Sequence, residues 1–369
     1  MGSDSISIFL AGDVMTGRGI DQLLPGSNPP RLRESFVHDA RDYIALAEAV
    51  NGPIPRPVTP EWPWGEALAL LDQAAPDLRI INLETSVTTS GRFAPGKGIH
   101  YRMHPGNIGC LTAAGIDACV LANNHVLDFG VRGLEETLDV LRAAGLRTAG
   151  AGRNAAGAWA PAELGTPGGR VLLFAAAHSS SGATRGNSAL GERPGLAFLP
   201  DLSDAAADSL LERIRAERRP GDAVIVSLHW GSNWGYGVPP EQTRFAHRLV
   251  DGGADIIHGH SSHHPRPLET YRGRPVLYGC GDLINDYEGI RGYDEFRDDL
   301  RLLVLVTLDA VTHELRGLRL VPVRSRRLRL ERAGLQDAEW LRRTLADACL
   351  PFRTQIEDDG EGGFRCGVP

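Results

Sequence analysis

Apolar residues in this chain come in short runs that stop abruptly at polar ones. Residues 5–11 (SISIFLA) alternate. Residues 78–83 (LRIINL), 118–122 (ACVLA), 171–176, 224–228, 255–257 and 275–278 are brief and mostly apolar. Such runs predict buried strands. Residues 300–308 and 315–323 alternate and predict an antiparallel pair that completes a sheet. Apolar positions at helical spacing predict helices over residues 66–75, 108–115, 133–144, 204–217, 242–252 and 335–349. Strands interleaved with helices predict an α/β fold. No internal repeat or long linker divides the chain, and residues 355–369 read as a loose tail.

The residues that end these runs are the chemically capable ones. The first run stops at Gly12-Asp13 and the second at Glu84. The third stops at Asn123, Asn124, His125 and Asp128. The runs at 224–228, 255–257 and 275–278 lead into His229-Trp230-Gly231, His258-Gly259-His260 and Gly279-Cys280-Gly281-Asp282. Polar groups at strand ends are where α/β sheets place binding sites. Four of the 12 histidines crowd into residues 258–264. Imidazole is both a common metal ligand and the usual proton shuttle near neutral pH.

Other candidates carry two readings each. Asp13 suits a site or the cap of a following helix. Arg18, between Gly17 and Gly19, is placed to meet an anion. Lys97, His100, Tyr101 and Arg102 form a basic and aromatic cluster in a loop, suited to a carboxylate or phosphate or simply solvated. Trp62 and Trp64 sit in a Pro-rich loop (residues 51–65) that forms either a substrate entrance or a surface clamp. With Trp230, Trp234 and Tyr236 they suit an aromatic wall for a peptide, or ordinary core. Residues 179–196 read as a lid or a surface excursion, and Cys280 as a structural strand-end residue.

Composition narrows the class. A net charge of −7 argues against a nucleic-acid footprint. No apolar stretch of about 18 residues is present, so no membrane span is expected. The start, MGSDSISIFLAGD, shows neither a basic leader nor a long apolar one, and the five cysteines show no CxxC pairing. The expected compartment is the cytoplasm, with reduced thiols. Oligomeric state is left open.

The blocks AGDVM, NLETSVT, ANNHVLDFG, HWG, GHSSHH and YGCGDLIND occur in that order over about residues 5–325. In this the chain resembles the CapA-like, poly-γ-glutamate capsule-synthesis group of the calcineurin-like metallophosphatase superfamily. The resemblance implies a four-layer α/β/β/α sandwich of two facing mixed sheets, a domain over residues 4–325, and a helix and tail (326–369) packed on it or trailing. It also implies a two-metal site made of Asp13, Glu84, Asn124, His229, His260 and His263, with His125 as the acid or anion-stabilising group. Such metals sit about 3.5–4 Å apart and activate water. Three departures weaken that ligand set. Met15 stands where the superfamily has His, Glu84 where it has Asp, and the last motif carries an extra residue. Thioether is a poor ligand for Mn, Mg or Zn.

The CapA-like group includes lasso-peptide epimerases. The expected function is therefore metal-independent epimerisation of a Cα centre in a ribosomally made precursor peptide. Asp13, Glu84, Asn124, His125, His229, His260 and His263 would be catalytic, and no cofactor is expected. Arg18, Lys97, Tyr101, Arg102, Trp230 and Trp234 would hold the substrate. Asp13 and one facing histidine would move the proton, and the remaining imidazoles and Asn124 would stabilise the enolate. The alternatives are a Mn-, Zn- or Mg-dependent phosphoesterase or hydrolase, or a protein that handles poly-γ-glutamate.

Overall fold

The strand Ser5–Val14 lies inside a ten-stranded mixed sheet. It pairs antiparallel with Leu300–Asp309 on one side and parallel with Leu78–Leu83 on the other. This is a computed structural model, and it describes residues 3–367. Beyond Leu78–Leu83 the sheet continues through Ala118–Val120 and Arg147–Ala149, both parallel. Beyond Leu300–Asp309 it continues antiparallel through Leu315–Ser325 and Phe364–Gly367 to Gln355–Asp358. A second sheet has seven strands. Gly169–His178, Ala223–His229, Ile256–His260 and Arg274–Leu277 run parallel in it.

Side-chain alternation decides how the sheets stack, because successive residues of a strand face opposite sides. In Gly169–His178, the side chains of Val171, Leu173, Ala175 and Ala177 enter the large core shared with the first sheet. Leu172, Phe174 and Ala176 enter a second core instead. There they meet Leu210, Leu211 and Ile214 of the helix Asp204–Glu217, and Phe245 and Leu249 of the helix Pro240–Asp251. The helices Ala67–Ala74, Gly130–Ala143 and Leu335–Cys349 add Leu71, Leu134, Leu141, Leu341 and Leu345 to the core of the first sheet. The order is helix, sheet, sheet, helix, the four-layer sandwich that the resemblance implies. Each fully buried Leu or Ile contributes about 1.5–3 kcal/mol, so packing, not helix propensity, holds these amphipathic helices in place.

Several local expectations are corrected. The first strand does not stop at Gly12-Asp13. It runs to Val14 through an irregularity between Ala11 and Asp13, and the helix that follows is capped by Gly17, not by Asp13. The helix expected over 108–115 shrinks to Gly109–Thr112 after a 3-10 turn. The loose tail is instead the hairpin Gln355–Asp358/Phe364–Gly367, with Ile356, Phe364 and Cys366 in the core. Residues 368–369 lie outside the described residues. The Pro-rich loop is a clamp, with the Trp64 indole donating to Cys110 O (2.8 Å) and the Trp62 indole to Arg327 O (3.1 Å). Residues 179–196 are tied down by Gly195–Leu196, which pairs with Ala151–Gly152. All five cysteines are free and buried. Among the described residues, no helix is long and apolar enough to cross a membrane.

Candidate active site

Strand register brings the polar run-ends together. Asp13 is opposite Asn82 on one side and Asp282 on the other. In the second sheet, His229 is opposite His260. The first junction requires glycine. A Cβ on Gly12 would fall 1.7 Å from Gly281 O, the same carbonyl that accepts the Asp13 amide at 3.0 Å.

Asp13 is fully buried. Its Oδ1 accepts from Asn82 Nδ2 at 2.7 Å, and its Oδ2 has no hydrogen-bond partner. Asn82 Oδ1 in turn accepts from Asn123 Nδ2 (3.0 Å). Asn123 Oδ1 accepts the amides of His125 and Val126, which fixes the loop that carries Asn124 and His125. Desolvation, then the nearby Asp282 charge, raises the pKa of Asp13 to about 7. Burial, then the Asp13 charge, also raises Glu84. Both carboxylates are thus drawn toward their protonated forms.

The histidines of the second sheet form an ordered chain. His258 Nε2 is 2.9 Å from Ala11 O in the opposite sheet. A carbonyl only accepts, so this nitrogen carries the hydrogen. Burial lowers His258 to about 4, which keeps the ring neutral and makes its Nδ1 an acceptor for Ser227 Oγ (3.0 Å). Ser227 Oγ then accepts from His260 Nε2 at 2.9 Å. Burial also holds His260 and His229 well below their ordinary value. His260 Nδ1 meets His229 Nδ1 at 2.8 Å. The chain ends at His229 Nε2, 3.2 Å from the acceptor Asn124 Oδ1 and 3.7 Å from Glu84 Oε1.

Two further imidazoles flank this centre. His263 Nδ1 pairs with Asp282 Oδ1 (3.0 Å), and Asn285 Nδ2 donates to Asp282 Oδ2 (2.7 Å). Burial opposes charge on His263, but the Asp282 carboxylate and its hydrogen bond, with Asp13, outweigh it and raise the pKa. His125 Nδ1 pairs with Asp128 (2.7 Å), which also accepts from Lys97 Nζ (2.5 Å) and the Tyr101 amide (2.6 Å). Burial lowers His125 to about 4, and its Nε2 is 3.7 Å from Glu84 Oε1.

A cation fits this centre at Asp13. The buried, unpartnered Oδ2 belongs to a carboxylate shared by two groups: Asp13 with His229 and His260, and Asp13 with His263 and Asp282. The ligand atoms within each group lie within 4.8 Å of one another. Carboxylate and imidazole together suit Zn or Mn. Met15 is buried and takes the Tyr287 hydroxyl on its sulfur (3.7 Å).

Of the residues expected to be catalytic, Asp13, Glu84, Asn124, His125, His229, His260 and His263 are all brought to this edge. The substrate-binding set divides. Lys97 stands at the rim beside His125. Trp234 packs 5.4 Å from His263 and stacks on Tyr293 at 3.9 Å. Tyr101 is buried edge-on behind His125 (4.6 Å). Trp230 is no wall; it is 1% exposed and packed on Phe245 and Tyr278 in the outer core. Arg18 is not free for an anion, being buried and paired with Asp286 and Glu34 among Tyr43 and Tyr101. Arg102 is spent on Ser90 O and Pro29 O. The expected catalytic set left out Asn82, Asn123, Ser227 and Asp282, although Asn123 and Asp282 stand among the polar run-ends. Asp282 follows a glycine at a run's end, as Asp13 does, and Asn82 is a polar residue inside an apolar run.

Fold and site together define the class: a metallophosphatase-like α/β sandwich with a buried carboxylate–imidazole centre at one edge. Residues 7–287 match the family of the bacterial capsule synthesis protein PGA_cap, and the chain belongs to that family. It is similar to a probable polyglutamine synthesis accessory protein of Mycobacterium tuberculosis, 50% identical over 356 residues, which cover 96% of this chain and 93% of that one. It is also similar to the capsule biosynthesis protein CapA of Bacillus anthracis, 30% identical over 297 residues (79% and 62%). A PGA biosynthesis protein CapA of Bacillus subtilis is 28% identical over 218 residues (59% and 54%).

Proposed function

We propose that this protein is an enzyme of acidic-polyamide synthesis that acts on a glutamyl chain at the Asp13 centre, with a divalent cation bound there. The observation that carries this reading is Asp13 itself: one carboxylate, with a buried unpartnered oxygen, common to two candidate ligand groups. The choice of polymer follows the relatives, one named for polyglutamine synthesis and one for PGA biosynthesis. The cation would be held by Asp13 with His229 and His260, or with His263 and Asp282. It would supply Lewis acidity toward a carbonyl or phosphoryl oxygen. The chain's own groups divide the proton work. His229 ends the imidazole chain, His263 beside Asp282 holds a proton, and burial draws Asp13 and Glu84 toward their protonated forms. Asn124 and His125 stand at the same centre, Asn124 Oδ1 beside His229 and His125 Nε2 beside Glu84. The test is incubation of poly-γ-glutamate with protein offered Mn, Zn or Mg, followed by chain length and end-group analysis. An unaltered polymer with every cation, under conditions where the protein is folded, would sink the reading.

A second reading is supported by a different observation. Asp13, raised to about 7, lies within 4.8 Å of the proton-bearing His263. A base and an acid that close suit inversion of a peptide Cα without a cofactor. Under this reading the substrate is a ribosomal, lasso-type precursor and the compartment is the cytoplasm. Deuterium uptake at Cα after chelation supports it; uptake that requires added cation counts against it.

A further inference from the structure

Next to the centre lies a cavity of about 430 Å³, lined among others by Asn285, Tyr287, Asp298 and Arg301. Arg301 is 1% exposed, one of the largest fully buried side chains. Among the described residues it forms no salt bridge within 4 Å, although two other arginines of the lining do: Arg297 pairs with Asp299 and Asp337, and Arg324 with the same two. Arg301 Nη1 donates only to Leu300 O, at 3.2 Å, and its Nε has no partner. A guanidinium has five donors in a fixed fork, and a buried one normally meets a planar anion.

The cavity is joined to the site. Asn285 lines it and donates to Asp282, which holds His263. Tyr287 lines it too, with its ring 5.3 Å from His263. The Arg301 charge bears on His263. A group bound at Arg301 therefore sits one residue layer from the Asp13 centre.

We propose that this cavity is a carboxylate-binding subsite, in which Arg301 takes a carboxylate of the substrate and so presents the adjoining backbone to Asp13 and His263. That the carboxylate belongs to a glutamyl unit rests on the function proposed above; the subsite itself does not. Asp298, also at the cavity and without a salt bridge, opposes the ligand's charge. When ionised, its carboxylate lowers the affinity for an anion at Arg301.

The test is calorimetric titration of the full chain with glutarate, N-acetylglutamate and a γ-glutamyl dipeptide, with sulfate as the comparison. Binding of the carboxylates, with sulfate at least about tenfold weaker, is expected for a planar fork site. Arg301→Gln, shown to be folded by its melting curve, should lose at least about tenfold in affinity. Should that variant fail to fold, Asp298→Asn decides, and should tighten carboxylate binding several-fold. Unchanged affinity in a folded Arg301→Gln, no change in Asp298→Asn, or sulfate binding as tightly as the carboxylates each overturns the subsite. Carboxylate binding with no turnover of the glutamyl polymer overturns the proposed function and leaves the subsite standing. Turnover with an unchanged KM in Arg301→Gln does the reverse.

Discussion

Asn82 Nδ2 donates to Asp13 at 2.7 Å, yet the other oxygen of the same buried carboxylate meets no donor. A core that satisfies one half of a carboxylate and leaves the other bare is prepared for something else to arrive.

Asp13→Asn should remove turnover, or Cα exchange, by about 10²–10⁴-fold, the usual worth of a positioned proton-transfer group. The same variant should melt higher than the parent at pH 8. A folded pKa near 7, above the ordinary 3.8, means that this residue's contribution is fully present below about 4 and is lost as pH rises through 7. A lower melting temperature for the variant at pH 8 would show that the charge is stabilising.

The buried neutral histidines act in the opposite direction. His258 and His125 are lowered from 6.5 to about 4, so their contribution is present above 6.5 and is lost as pH falls through 4. Each is worth on the order of 3 kcal/mol across that window. Melting temperature followed from pH 7 to pH 4 should fall, and His258→Gln should flatten the slope. An unchanged slope in that variant would remove His258 from the account.

If a cation binds as proposed, Asp282→Asn should weaken its retention about 10–100-fold, whether Asp282 is a ligand or only orients His263. Elemental analysis after dialysis against Zn or Mn measures this. Equal metal content in variant and parent would place the cation elsewhere.

The two tryptophans near His229 should part company. Trp230→Ala opens the outer core and should cost about 3–5 kcal/mol in denaturant unfolding. Trp234→Ala, at the rim beside His263, should change stability by less than about 1 kcal/mol and raise KM. A stability loss in Trp234→Ala equal to that of Trp230→Ala would put both in the core.

Much of this was legible in the residues. Short apolar runs ending in Asp13, Glu84, His125, His229 and His260 gave both the strands and the site edge, because burial and strand period leave one signature. What was not legible follows equally from physics. Trp230 and Trp234 read alike in sequence, since an aromatic beside a site and an aromatic in a core differ only in what packs on them. Arg18 looked free because its partners, Glu34 and Asp286, are 16 and 268 residues away. The hairpin at 355–367 was missed because its pairing to Leu315–Ser325 depends on contacts remote in the chain.

The chain from Ala11 O to His229 Nε2 begins in one sheet and ends in the other. A backbone carbonyl that has only one role to play fixes which nitrogen of His258 carries the hydrogen. The two halves of the sandwich thus work as a lock: that order is set only once they dock in register. A chain whose sheets have not closed on each other carries the same histidines without it.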